Sequence, residues 1–240
     1  MLRDASGSYE YVGDELKVFQ HAVRWKRYCR DRVQRFVRGR VLEAGGGIGA
    51  TTRALCLDAV TEWCSVEPDP GLAAEMQRRF AAEPLPVPLR IVTGTLSALD
   101  AEPVFDTILY MDVLEHIEDD AAELIRARDR LRRGGHLVVL SPAHQWLFTA
   151  FDRAIGHYRR YNRKSLRAAA PAGLPEVRME YLDAAGLLAS LANRLILHSA
   201  SPTLAQIRFW DGRLVPVSRK LDPVFGRNLG KSILGVWRQA

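Results

Sequence analysis

The stretch Arg40-Val41-Leu42-Glu43-Ala44-Gly45-Gly46-Gly47-Ile48-Gly49-Ala50-Thr51-Thr52 decides how this chain is read. Apolar and small residues surround one acid, four glycines follow within five positions, and apolar residues then resume at helical spacing. This pattern predicts a buried strand, a tight turn and a helix from about Ile48 to Leu57. Glycine is needed in such a turn because the backbone must bend sharply and approach a ligand more closely than a Cβ allows. Gly45-x-Gly47-x-x-Ala50 also meets the loose dinucleotide-binding fingerprint, a weak signal alone, so its neighbours must decide.

Outward from the turn, strands and helices alternate. Glu62 to Glu67 reads as a second strand ending on an acid, followed by Pro68-Asp69-Pro70-Gly71 and a helix through Phe80. Leu89 to Val92 makes a third strand running into Gly94-Thr95-Leu96, and Phe105 to Met111 a fourth running into Asp112-Val113-Leu114-Glu115-His116. A helix to Arg133 and a fifth strand, His136 to Leu140, complete the alternation. The fold class is therefore α/β with a parallel, doubly wound sheet, whose ligands sit beyond the carboxyl ends of the strands. Glu43, the glycines, Glu67, Thr95 and Asp112 all fall at that edge.

Upstream, Leu16, Phe19, Val23, Cys29, Val33 and Phe36 recur at three- and four-residue intervals, predicting one long helix from Glu15 to Val37 with Arg24, Lys26, Arg27, Arg30, Arg32 and Arg35 on its wet face. Residues before Asp14 read as irregular, with Tyr9 and Tyr11 able to fold over a pocket. Downstream, Ala143 to Arg163 is too long for a simple connection and carries His144, Trp146, Asp152, His157, Arg159, Arg160 and Tyr161. Long ordered loops in compact domains usually serve function. A helix begins there with Asn162 as its cap. Val177 to Leu182 is a sixth strand, Leu187 to Leu197 and Leu204 to Leu221 are helices, and Gly230 to Arg238 is a seventh strand. Residues 1–39 thus form an N-terminal helical cap, and 40–240 one domain with a lid over 143–163 and a helical insert over 184–222.

The 240 residues suit one large α/β domain. No apolar run spans twenty residues, no signal peptide opens the chain, and Cys29, Cys56 and Cys64 show neither metal spacing nor an even disulfide count, so a reducing, cytoplasmic compartment is expected. The net charge of +6 comes from arginine at Arg24 to Arg40 and Arg159 to Arg167, either a solvated face or an anion-binding surface. No nucleic-acid module accompanies it.

Together these pieces resemble the class I S-adenosylmethionine-dependent methyltransferases over nearly the whole chain, with their seven-stranded Rossmann-like fold. Glu43-Ala44-Gly45-Gly46-Gly47-Ile48-Gly49 is similar to the family's first motif, Glu67 to the acid after its second strand, and Asp112-Val113-Leu114-Glu115-His116 to the motif after its fourth strand in the small-molecule branch. Ser141-Pro142-Ala143-His144, Gly156-His157-Tyr158-Arg159-Arg160-Tyr161 and Gly230-Lys231-Ser232 resemble a bacterial subgroup with unassigned acceptors.

The resemblance implies that Glu43, Gly45, Gly47, Gly49 and Asp112 hold the amino-acid end of S-adenosylmethionine, that Glu67 accepts its ribose hydroxyls, and that Pro68 and Leu96 flank its adenine. Thr95 departs from the pattern, in which an acid often stands near the adenine amino group. A hydroxyl or amine acceptor needs its proton removed, by a base among Asp112, His116, His144 and His157, with His116 more often structural. Asp112, His157 and Arg159 are the expected catalytic residues; His144, Arg160 and Tyr161 the expected substrate contacts, the arginine pair suiting an anion. No metal and no membrane or nucleic-acid partner is expected, while a homodimer or protein partner remains open.

The first functional expectation is methyl transfer to a small anionic metabolite in bacterial small-molecule biosynthesis. The second keeps the fold without methyl transfer, Asp112 acting as general base and arginines on a sulfate or phosphate leaving group in elimination or cyclisation. The third is a non-catalytic subunit that supports a partner. An NAD-dependent dehydrogenase ranks lower, because the Asp112–His116 motif and the seventh strand have no place in it.

Overall fold

The structure is a computed structural model that describes residues 2–3, 9–11, 15–192 and 203–240, with backbone only at 2, 3, 9, 10 and 15. The expectation for the Tyr9 side chain and the part of the helix expected at 193–197 lie outside the described residues.

A short antiparallel pair, β1 (Leu2–Arg3) and β2 (Tyr9–Glu10), precedes the main sheet. The main sheet has seven strands: β3 (Gly39–Ala44), β4 (Val60–Glu67), β5 (Leu89–Thr93), β6 (Phe105–Met111), β7 (Leu131–Pro142), β8 (Glu176–Leu182) and β9 (Ser232–Arg238), in the order β5-β4-β3-β6-β7-β9-β8. β5, β4, β3, β6 and β7 are mutually parallel, and β9 enters antiparallel between β7 and β8. The sheet is therefore mixed, and its first direction change falls between β3 and β4 on one side and β6 on the other, the switch point where such sheets bind ligands.

Both faces of the sheet are covered, which is why its strands read as continuous apolar runs. Alternate residues divide between two cores. Leu42, Ile108, Tyr110, Leu137 and Val139 join Tyr161, Leu166 and Trp237 on one face; Val41, Trp63, Leu109, Val138 and Leu140 join Trp25, Tyr28, Phe36 and Trp210 on the other.

The long N-terminal helix is corrected to two: α1 (Glu15–Phe19) and α2 (Val23–Val33). The break is fixed from a distance, because the Asp211 carboxylate accepts the backbone N–H of Arg24 at 3.1 Å and of Trp25 at 2.7 Å and so caps α2. Val23, expected inside, is 58% exposed at this break. Helices α3 (Ala50–Leu55) and α4 (Pro70–Ala82) follow β3 and β4. The helix expected to reach Arg133 is α5 (Asp120–Arg128), cut short because β7 starts at Leu131 in register with Phe105. The expected loop after β7 contains a 3₁₀ turn, Gln145–Leu147, and α6 (Ala150–Ala154), before α7 (Arg163–Ala169) starts on its Asn162 cap. The insert contains α8 (Ala184–Ala192), α9 (Leu204–Phe209), a π-helical turn Trp210–Leu214 and α10 (Val215–Val224). The wide turn sends both Trp210 and its neighbour Asp211 inward, each 7% exposed.

Beneath the glycine turn, Glu43 is 1% exposed, and its Oε2 accepts hydrogen bonds from Thr52 of α3 and from Trp63 Nε1 (3.1 Å) and Ser65 Oγ (3.3 Å) of β4. Burial pushes its carboxyl up to about 7; the three donors pull the other way, and the Glu67 charge adds to the rise. The folded chain therefore keeps a proton that the unfolded chain releases near the ordinary glutamate value, so this group's contribution to stability falls as pH rises from about 4.5 to about 7. Glu43→Gln retains an acceptor for the three donors and removes this titration. Denaturant unfolding across that window is expected to show a flatter pH dependence for the variant, by up to about 3 kcal/mol over the range. An unchanged slope counts against a protonated Glu43.

Candidate functional site

A cavity of about 800 Å³ opens over the carboxyl ends of β3, β6 and β7. Its walls come from the glycine turn, from α1 and α2, from the loop after β7 and from the insert. That volume suits a drug-sized ligand.

The turn presents Gly45 and Gly47 to this cavity, with φ of 65° and 55°. These left-handed angles disfavour any residue with a Cβ. A Cβ on Gly47 would rest in ordinary contact with the Leu16 methyl groups, at 3.6 and 3.8 Å, whereas one on Gly46 would collide with Ser65 Oγ. The turn is held by Glu67, which is 2% exposed: its Oε2 accepts Gly47 N–H at 2.8 Å and its Oε1 accepts Asp69 N–H at 3.0 Å. Burial raises the Glu67 carboxyl to about 7 against those two hydrogen bonds. Tyr11 lies across this side, its N–H on Asp69 Oδ2 at 2.7 Å and its ring 6.0 Å from that of His116.

Asp112 follows β6 with φ 57°, a left-handed angle on a residue with a side chain. Its N–H is fixed on Leu140 O at 2.8 Å, and its carboxylate is open to the cavity. The cavity is deep enough that exclusion of bulk water raises this carboxyl to about 6, against the pull of Lys231 and Lys26. Both lysines line the cavity, and burial lowers the pKa of each. Lys26 Nζ donates to Phe19 O at 2.6 Å, while Lys231 Nζ lies 3.7 Å from Asp183 Oδ2 and 4.0 Å above the Trp210 ring.

Glu115 and His116 form the 3₁₀ turn after Asp112, and both border the cavity with His157. Burial first, then the Asp112 charge, pushes the Glu115 carboxyl well above its usual range, and burial lowers His116 to about 3. Opposite them, Asp152 accepts His157 Nδ1 at 2.9 Å, Thr149 N–H at 2.8 Å, and Arg160 through Nε (2.8 Å) and a terminal nitrogen (3.0 Å). Although burial pushes the Asp152 carboxyl up, these donors outweigh it and hold the group well below the carboxylate range.

The expected site residues thus divide. Gly45, Gly47, Asp112, His157 and Arg160 meet at the cavity. Glu43 does not reach it, because its carboxylate is engaged under the turn, and Gly49 packs on the Phe80 ring. Glu67, Pro68 and Thr95 are outside the cavity walls, with Thr95 Oγ1 2.6 Å from Ser97 Oγ, and Leu96 is 1% exposed within the core. The arginine pair is not a pair. Arg159 turns away to Asp120 at 2.8 Å and to the Glu118 carbonyl, while Arg160 faces inward. Tyr161 shares the Asp120 carboxylate at 2.6 Å in the core, and His144 stacks on Tyr181 with its Nε2 3.0 Å from Gly230 O. Sequence reasoning missed Lys26, read as wet face, and Asp152 and Lys231 as site residues. Strand parity could have flagged Lys231: the residue before an antiparallel strand lies at the carboxyl ends of its parallel neighbours.

The model of the methyltransferase-domain family matches residues 19–178, and the chain belongs to that family. A tRNA U34 carboxymethyltransferase from Shewanella frigidimarina is 34% identical over 118 residues, 45% of this chain. The chain spans between 2% and 35% of the length of the curated relatives it matches. Among solved structures, a geranyl diphosphate methyltransferase in complex with S-adenosylmethionine superposes with a TM-score of 0.64 at 14% identity, covering 98% of this chain and 94% of that one. The [4+2]-cyclase SpnF superposes at 0.59 with 16% identity, covering 89% and 81%. At these identities both show the shared fold.

The Gly46 contact yields a test of how the turn is seated. Gly46→Ala forces Ser65 Oγ off Glu43 and is expected to destabilise the protein by about 1–3 kcal/mol, the cost of overpacking. Ser65→Ala in the same chain is expected to recover most of that loss in denaturant unfolding. Additive losses would show that Ser65 is not what the new methyl group meets.

Proposed function

We propose that the chain transfers a methyl group from S-adenosylmethionine to a small anionic acceptor held in the cavity. The observation that carries this reading is the meeting, on one cavity wall, of Gly45 and Gly47 at left-handed angles with Asp112 at the end of the neighbouring strand. The cavity before Gly45 and Gly47 is a cradle that fits the amino-acid end of the cofactor, and a side chain on Gly47 would enter it beside Leu16. Glu67 fits the ribose end only if its carboxylate shares the hydrogen bonds it gives Gly47 and Asp69, since each oxygen can accept more than one.

When bound, the cofactor supplies a methyl carbon already activated by a sulfonium, so alignment provides much of the acceleration. The residues of the chain do the rest. Asp112, with a carboxyl near 6, is suited to take an acceptor proton. Support for an anionic acceptor moves from the two arginines to Lys26 and Lys231, whose lowered pKa values would recover beside a bound anion. Tyr11 and the helices of residues 1–39 cap the cavity on one side, and the segment 143–163 closes it on another. A cytoplasmic setting and a homodimer or protein partner belong to the same proposal.

A second reading, cyclisation or elimination on the same fold with Asp112 as base, draws support from the likeness to a [4+2]-cyclase. Calorimetry with S-adenosylhomocysteine separates the two. Methyl transfer expects binding that Gly47→Val abolishes, because the branched side chain enters the cradle. Asp112→Asn is expected to weaken that binding and to lower turnover by about 10²–10⁴-fold. A folded wild-type protein that ignores the cofactor, yet loses activity on Asp112→Asn, would overturn methyl transfer in favour of the second reading.

A further inference from the structure

Glu115 is an anomaly in the cavity wall. It is 0% exposed, and among the described residues neither of its carboxylate oxygens has a hydrogen-bond partner. The Ser141 hydroxyl beside it is also buried without a hydrogen bond of ordinary geometry. A buried carboxyl group left without partners is costly, and native interiors carry few of them. His116 Nδ1 is likewise buried without a hydrogen-bond partner among the described residues.

His157 completes the cluster. Its Nδ1 faces Asp152 Oδ1 at 2.9 Å, and Asp152 is already an acceptor for Arg160 and Thr149, so Nδ1 donates there and Nε2 is the ring nitrogen left for a ligand. That Nε2 lies 3.9 Å from Glu115 Oε1, too far for a hydrogen bond. The His116 ring meets the His157 ring edge-on at 4.5 Å. One donor atom from each of Glu115, His116 and His157 lies within 4.8 Å of the others. A cation bonded at about 2.0–2.2 Å spaces its donors by roughly 3 to 4.4 Å, so small rotamer adjustments suffice.

We propose that Glu115, His116 and His157 form a divalent-cation site in the cavity wall, with Asp152 orienting His157. Two imidazoles and one carboxylate favour Zn²⁺, Co²⁺, Mn²⁺ or Fe²⁺ over Mg²⁺ and Ca²⁺, which prefer oxygen donors. A carboxylate that holds the far nitrogen of a ligating histidine is the usual outer support of such sites. Three protein donors leave coordination positions open towards the cavity, where a hydroxyl or carboxylate oxygen of a small molecule can bind. That use rests on the methyl-transfer reading: the cation lowers the acceptor hydroxyl's pKa, its proton leaves to Asp112 or solvent, an oxygen–methyl bond forms, and the methyl–sulfur bond breaks to leave a neutral thioether. The site itself does not depend on that reading.

Untagged protein, stripped with a chelator, is titrated with Co²⁺ and followed by visible absorption and calorimetry, with Zn²⁺, Mn²⁺ and Mg²⁺ in parallel. Stoichiometric Co²⁺ uptake with visible ligand-field bands is expected. Glu115→Gln and His157→Gln are each expected to weaken it by at least about tenfold, and Asp152→Asn by about 10–100-fold. S-adenosylhomocysteine binding, measured on the same samples, reports that each variant is folded. Protein that binds the nucleoside but takes up no Co²⁺, Zn²⁺ or Mn²⁺ overturns the site and leaves methyl transfer standing. Protein that takes up metal but ignores the nucleoside supports the site and removes the methyl-transfer reading. Uptake undiminished by Glu115→Gln, or binding of Mg²⁺ alone, also overturns the assignment.

Discussion

A single buried carboxyl group, that of Glu43, ties together the three elements that shape the glycine-turn end of the cavity. Thr52 comes from α3, Trp63 and Ser65 come from β4, and Glu43 itself ends β3. The glycine turn lies directly above this junction, its Gly46 backbone closed against Ser65 and Met76. The partners lie 9, 20 and 22 positions from Glu43, and two of the three are on β4, so this set of bonds is complete only when β3 and β4 have paired. Glu67 repeats the arrangement one layer up, using its two oxygens to bind the backbone of the turn and of the α4 entry. The acid expected to face a ligand is thus also part of the frame.

The same economy of position governs the loop after β7. Along residues 159–161 successive side chains reach opposite partners. Arg159 and Tyr161 fall together on Asp120 in the protein body, while Arg160 falls on Asp152 at the cavity. Asp152 collects Thr149, His157 and Arg160, and so fixes both the loop and the ring that faces Glu115. Arg159 and Arg160 are thus each held by an acid of the chain itself, and Lys26 and Lys231 join Arg160 in lining the cavity.

Most of the sheet was legible in the sequence because each strand is an apolar run bounded by turn residues, and both faces are buried. The glycine turn and Asp112 were legible for the same reason: residues after a buried parallel strand have only one place to go. Three features were not. The break before α2 has no glycine or proline to announce it and is made by Asp211 from the insert. Lys26 sits among five arginines and looked solvated, yet its helix turns it towards the cavity. The roles of Arg159 and Tyr161 depend on Asp120, an acid from another helix that periodicity does not connect to them.

The placement of β9 between β7 and β8 has a kinetic side. β8 pairs with β9, and β9 comes only after the whole helical insert. While a ribosome is still making the insert, β7 carries an open edge and β8 waits without its neighbour, the kind of exposed strand that invites association with other chains. The arrival of β9 closes that edge, and in the same movement it delivers Lys231 beside Asp183 and Trp210. Maturation of the cavity and protection of the nascent sheet are therefore one late event during synthesis.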